Sequence, residues 1–134
     1  MTEAIQMTEE QHQHWIKKQY QLATKYLAEK GVITESVQVE DSRYFVPLLA
    51  LWKLTSRDGN KFWVLCGDLP SDHNSVDVAP NAREALRHFS LKWQMQAEKL
   101  LQAKNETQNE FADSLISRAD GLYKLYNDES LWQS

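Results

Sequence analysis

Asp68, Asp72 and His73 fall within six residues of one another, in the segment Gly67-Asp68-Leu69-Pro70-Ser71-Asp72-His73-Asn74-Ser75. Two carboxylates and an imidazole so close could hold a hard or borderline divalent cation, or serve as acid and base. Their spacing matches no metal-binding signature. Asp, Ser and Asn also crowd loops because their side chains satisfy the nearby backbone, so a turn and helix-entry role stands beside the site reading and outweighs it. Arg83, Arg87 and His88 follow closely and could grip an anion together with a helix N-terminus, although Glu84 among them favours a solvated face. His12 and His14, two apart, point about 200° from each other on a helix and cannot share a metal as an i, i+4 pair would. The single cysteine, Cys66, excludes an internal disulfide and a multi-thiolate metal site, and its apolar neighbours favour a buried thiol over a nucleophile. The chain contains no Gly-rich phosphate loop, Ser-centred elbow, CxxC or HExxH. No catalytic residue is assigned, and neither a cofactor nor a metal is expected.

These residues must be positioned by the segment Ser42 to His73, which carries two of the five tryptophans, the cysteine and two of the three prolines. Apolar runs at about 44–55 and 61–66 flank Ser56-Arg57-Asp58-Gly59-Asn60-Lys61, and Asp-Gly between such runs is a strong hairpin signal. With Asp58-Gly59 as a two-residue loop, Trp52 faces Leu65 and Leu54 faces Trp63. Side chains alternate along a strand, so Leu48, Ala50, Trp52, Leu54, Trp63 and Leu65 then share one face, with Leu49, Leu51, Phe62, Val64 and Cys66 on the other. An odd-length loop would put the two tryptophans on opposite faces. Either way both faces are apolar, which makes the hairpin central and calls for a cover on each side. Pro47 cannot donate to a ladder, so the first run bends there, starts regular pairing after it, or lies at an edge up to it.

Helical spacing on either side supplies the covers. From Glu9 to Lys30 the stripe reads Trp15, Ile16, Tyr20, Leu22, Ala23, Tyr26 and Leu27, with Thr8 and Gln11 as a capping box and Gly31 as the stop. Residues 1–8 are expected to fray. Val32 to Asp41 alternates weakly and reads as a short edge strand. Asn81 caps a long helix over 82–104 with the stripe Ala82, Ala85, Leu86, Phe89, Trp93, Ala97, Leu100 and Leu101, and Asn105-Glu106-Thr107 breaks it. Phe111, Leu115, Ala119, Leu122 and Tyr126 describe a third helix over about 108–126, weakened by Gly121. The expected fold is α+β: a small antiparallel sheet around a central hairpin, the N-terminal helix on one face and the helix 82–104 on the other, in a single domain over 1–134.

Composition bounds the function. At 134 residues and 42% hydrophobic, one domain of this size buries roughly two-thirds of its unfolded surface. The charge of −4 is uneven: residues 1–67 balance 8 basic against 8 acidic groups, whereas 106–134 carry 2 against 6. No basic stripe is present to displace counterions, so nucleic acid is not an expected partner. The longest apolar run, Tyr44 to Trp52, is too short to span a bilayer, so no membrane is expected, and a reduced, cytosolic setting is. Trp15, Trp52, Trp63 and Trp93 sit at periodic positions and read as core. Trp132, beside Leu131, lies outside any stripe and either folds back or docks on another chain.

W-V-L-C-G-D-L-P-S-D-H at 63–73, preceded by S-R-Y-F-V-P-L-L-A-L-W at 42–52 and followed by A-R-E-A-L-R-H-F-S-L-K-W-Q-M-Q-A-E at 82–98, resembles a family of small proteobacterial proteins described as a domain of unknown function, with the pattern W-V-x-x-G-D-L-P-x-D. The resemblance covers nearly the whole chain and implies a stand-alone bacterial cytosolic domain with no catalytic residue to carry over. The expected function is therefore non-enzymatic: binding of a protein partner or of a second copy as a homodimer, through the 67–80 loop or the surface around Leu131 and Trp132. The alternative is a small metal-dependent or acid/base enzyme using the 67–75 loop, with Asp68, Asp72 and His73 at its centre and Arg83 or Arg87 holding an anionic substrate.

Overall fold

The computed structural model describes residues 8–132, which form three α-helices and a five-stranded antiparallel sheet, an α+β fold. The chain divides into two compact units, residues up to Val76 and residues from Asp77 onward.

In the first unit, α1 (Glu9–Glu29) begins at a full capping box, in which Thr8 Oγ1 accepts the Gln11 N–H at 3.0 Å and Gln11 Oε1 accepts the Thr8 N–H at 2.9 Å. Thr8 is thus fixed, and the rest of the segment expected to fray lies outside the described residues. At the other end Val32 N–H donates to Leu27 O and Gly31 N–H to Ala28 O, with Gly31 at φ +85°, the paired bonds of a Schellman stop. Strands β1 (Thr34–Val37), β2 (Arg43–Phe45), β3 (Leu49–Ser56), β4 (Lys61–Gly67) and β5 (Asp72–Ser75) form a sheet in the order β1-β3-β4-β5, with β2 pairing the same edge of β3 that β1 uses. The run expected as one strand over 44–55 is two: it folds at Val46-Pro47-Leu48, so that Phe45 pairs back onto Leu49. Pro47 lacks the N–H that a continuous ladder would require there. Where neither β1 nor β2 reaches β3, buried Ser42 takes over: its hydroxyl accepts the Lys53 N–H at 2.9 Å, while Gln38 N–H donates to Lys53 O at 2.8 Å. This satisfies both backbone groups of Lys53 between the two short strands.

The hairpin register differs from the sequence expectation by one residue. Trp52 pairs with Val64, Leu51 with Leu65 and Lys53 with Trp63, so Trp52 and Trp63 emerge on opposite faces. The cause is the loop. Ser56 N–H donates to Asn60 O and Gly59 N–H to Ser56 O, which leaves Arg57, Asp58 and Gly59 as a three-residue loop with Gly59 at φ +89°. Asp58 completes it by accepting from Ser56 Oγ and from the Asn60 N–H. A glycine in the left-handed region serves the end of a three-residue loop as well as a two-residue turn, and here the local carboxylate bonds select the longer one. The faces become Ala50, Trp52, Leu54, Phe62, Val64 and Cys66 on one side, and Leu49, Leu51, Trp63 and Leu65 on the other. Both remain apolar.

Helix α1 lies against the first of these faces. Ala23 and Leu27 are buried with Ala50, Trp52, Leu54, Val64 and Cys66, and Trp15, Ile16, Tyr20, Tyr26, Val32, Val37 and Tyr44 pack around them. Gln19 is buried one turn before Ala23, whereas Leu22, expected in the stripe, is exposed. Tyr20 and Tyr44 both meet the Trp52 ring, at centroid distances of 5.3 and 4.9 Å. Aromatic pairs of this geometry add about 0.5–1.5 kcal/mol each beyond the area they bury.

The second unit is a helical hairpin. Helix α2 (Ala82–Gln102) is capped by Asn81, whose side chain accepts the Glu84 N–H at 2.9 Å, and α3 (Glu106–Asn127) is capped in the same way by Asn105. The break comes at Ala103-Lys104-Asn105, and α3 starts two residues before the expected 108. Arg83 near the start of α2 reaches Tyr126 near the end of α3, and Ser90 Oγ donates to Ala119 O at 2.8 Å, so the two helices run antiparallel. Leu86, Phe89, Trp93 and Ala97 are buried with Ala112, Leu115, Ala119 and Leu122. Leu101 and Phe111, both placed in the stripes by spacing, are instead exposed.

Candidate functional site

The polar segment after β4 is not wholly a loop. Its residues Asp72 to Ser75 pair with β4 as an edge strand, Asp72 opposite Leu65 and His73 opposite Val64. Neighbours in a strand leave the backbone toward opposite faces, so Asp72 and His73 are not set side by side on one face of β5. Asp72 Oδ1 accepts the His73 backbone N–H at 2.8 Å. Asp68 is exposed at the end of β4, its backbone N–H donating to Leu48 O at 2.9 Å. Among the described residues, no group of three or more His, Cys, Asp or Glu side chains is placed to hold a metal ion.

His73 instead turns to the α1 face, where Tyr26 Oη lies 2.9 Å from its Nδ1. The imidazole stands edge-on to the rings of Tyr26 and Phe62, at 5.4 and 5.9 Å. Lys30 Nζ lies over the Tyr26 ring at 5.5 Å. Burial first, and the Asp72 carboxylate second, push the Tyr26 phenol above its ordinary range, so it stays protonated as a hydrogen-bonding group. Cys66 behaves likewise: burial pushes its thiol up to about 11, only partly offset by the Trp52 indole, and it donates to Gln19 O at 3.5 Å. A thiol held in that form is a poor nucleophile at neutral pH. Tyr26 lies 47 residues before His73, and its spacing in the sequence marks it only as part of a core stripe.

Arg83 is committed within its own unit. Its Nε donates to Tyr126 O at 2.9 Å, its guanidinium pairs with Glu129 at 2.6 Å, and its plane lies over the Tyr126 and Trp132 rings at 5.3 and 5.8 Å. Trp132 folds back at the end of a 3-10 turn over Glu129–Leu131, its indole N–H donating to Leu125 O at 3.0 Å. The ring and the guanidinium together close the C-terminal end of α3, where helix carbonyls lack partners. Leu131 and Arg87 are exposed.

The cleft of greatest interest lies in the second unit and was not singled out by any motif. A groove of about 390 Å³ runs between α2 and α3, lined by Gln94, Glu98 and Leu101 on one wall and Ile116, Asp120 and Tyr123 on the other. Each wall is an i, i+4, i+7 row, one face of a helix over two turns. Leu101, Ile116 and Tyr123 are 40, 42 and 40% exposed. The signal available in the sequence was an excess of apolar positions over what two packed helices can bury. A second cleft of about 270 Å³ lies beside the hairpin loop, lined by Gly31 to Ile33, Ser56 to Asp58, Asn60 and Phe62.

No helix among the described residues is long and apolar enough to cross a membrane. Comparison of the chain with curated proteins and with solved structures finds no match. One family model does match, over residues 9–132, nearly the whole chain, as the resemblance at 42–98 implied. The chain belongs to that family, a domain of unknown function (DUF4826).

Proposed function

We propose that this protein acts without catalysis, by binding a protein partner, and that the groove between α2 and α3 is its working surface. The observation that carries this reading is the groove itself: three large apolar side chains, each about two-fifths exposed, held on two rigid helices around a concave face. Concave surfaces that combine exposed apolar side chains with a few placed polar groups are the usual form of a recognition site. The Cys66 thiol, buried and hydrogen-bonded to Gln19 O, is withheld from solvent and supports the non-enzymatic side of the proposal. The acid/base or metal-dependent alternative has less support, since Asp72 and His73 leave the strand toward opposite faces and the His73 Nδ1 is taken up by Tyr26. Trp132 gives its N–H to Leu125 O, so the docking surface is assigned to the groove in preference to Leu131 and Trp132. A proteobacterial, cytosolic setting, and W-V-x-x-G-D-L-P-x-D as the family's signature, belong to the same proposal.

The test is the size of the species formed in cells. Tagged wild-type chain is expected to elute in a complex larger than its own 15.6 kDa, and the double variant Leu101→Ser/Ile116→Ser, folded by circular dichroism, as the free chain. Unchanged elution of the folded double variant would remove the groove from the function.

A further inference from the structure

We infer that the groove takes an amphipathic helix whose flanks carry lysine or arginine. This rests on the binding reading above and adds the chemistry of the occupant. The walls run for eight residues each, seven steps of 1.5 Å or about 10.5 Å, which seats two turns of a helix and its i, i+3/i+4, i+7 anchors. Two antiparallel helices already present parallel ridges with a groove between them, and a third helix is the shape that fills such a groove at the usual interaxial spacing.

Charge selects the kind of helix. Glu98 sits at the middle of one wall and Asp120 at the middle of the other, flanked by Leu101, Ile116 and Tyr123, and among the described residues no lysine or arginine lines the groove. A helix with an apolar ridge would bury that ridge against the leucine, isoleucine and tyrosine and present cations to a carboxylate on each side. Lys124 meets Asp120 at 3.1 Å from outside the groove, but both side chains are more than half exposed, so the pair is readily exchanged for an incoming cation. A second copy docking groove to groove would set these carboxylates against their own kind, which like-charge juxtaposition disfavours.

The experiment uses the full chain and two fluorescein-labelled helical peptides of about 18 residues, one of leucine and lysine, the other its leucine and glutamate counterpart. Fluorescence anisotropy is expected to show saturable one-to-one binding of the lysine peptide and none of the glutamate peptide. The variant Glu98→Lys/Asp120→Lys, whose substitutions lie on exposed groove walls, is expected to lose on the order of tenfold in affinity for the lysine peptide and to gain the glutamate peptide. Equal binding of both peptides, or a lysine-peptide affinity untouched by the charge reversal, would overturn the inference, as would light scattering that shows the groove filled by a second copy. Should the cellular complex depend on Leu101 and Ile116 while the lysine peptide fails to bind, the binding reading stands and the basic-helix occupant falls. Absence of both sinks the two together.

Discussion

Replacing Gly67 by alanine tests the geometry of the sheet where it matters most. Gly67 closes β4 at φ +135°, and a Cβ there would stand 2.5 Å from Leu49 Cα and 2.6 Å from Leu48 O. Both are backbone atoms held in place. Leu49 is paired with Gly67 in the ladder, and Leu48 O accepts the Asp68 N–H at 2.9 Å. Relief requires parting β3 from β4 just where the chain has turned at Pro47. Holding a residue with a side chain in this conformation costs about 1–3 kcal/mol, and displacing packed backbone about 1–3 more. The sum, about 4 kcal/mol, is a large share of the 5–15 kcal/mol typical of a folded domain. At roughly 3–5 °C per kcal/mol for a chain of this length, Tm falls by about 15 °C. Urea unfolding followed by circular dichroism measures the difference. Gly121→Ala is the control: nothing lies within 4 Å of a Cβ in mid-α3, and the variant gains about 0.5–1 kcal/mol. A Gly67→Ala protein within 1 kcal/mol of wild type would refute the close strand approach. The predicted loss of stability, by contrast, would mark the glycine of the G-D-L-P segment as one required by packing.

Stability should also fall between pH 9 and 11. The folded Cys66 thiol ionises at about 11 against an ordinary 9.0, so its contribution is fully present below pH 9 and is lost as pH rises through 11, at most about 3 kcal/mol. Cys66→Ala flattens this part of the pH–stability curve, leaving the smaller decline from Tyr26 and Tyr44, whose phenols are also raised. Wild-type chain that titrates with a thiol reagent at pH 8 without unfolding would contradict the burial. Trp132→Ala removes the bond to Leu125 O and the Arg83 stack, a loss of about 1–2 kcal/mol read by thermal melts. No loss would mean that the indole is not held there.

Local chemistry carried most of the fold into the sequence. Thr8 with Gln11, Gly31 and Asn81 mark helix ends because each satisfies, or frees, a specific backbone group at the position where it stands. Pro47 marked the bend for the same reason. Register was not legible, because Asp58-Gly59 fits loops of either parity and only the bonds of Asp58 to Ser56 and Asn60 choose between them. Strand β5 was hidden too: Asp-His-Asn-Ser has little strand propensity, and it pairs because β4 offers an open edge. Of the candidate site, the sequence named His73 but not Tyr26, since a contact across 47 residues leaves no local trace. Leu101 and Phe111 fell on the expected stripes yet face outward, because a stripe shows which face is apolar and not how much of it a partner helix covers.

A photo-crosslinking residue placed in living cells at Ile116, in the wall of the groove, tests the central claim most directly, with exposed Glu35 on β1 as the control. A single adduct of defined mass from position 116, lost when Glu98 and Asp120 are reversed in charge and absent from position 35, is the result expected. Equal adducts at both positions, or none from 116 while the chain still travels in a larger complex, would contradict it.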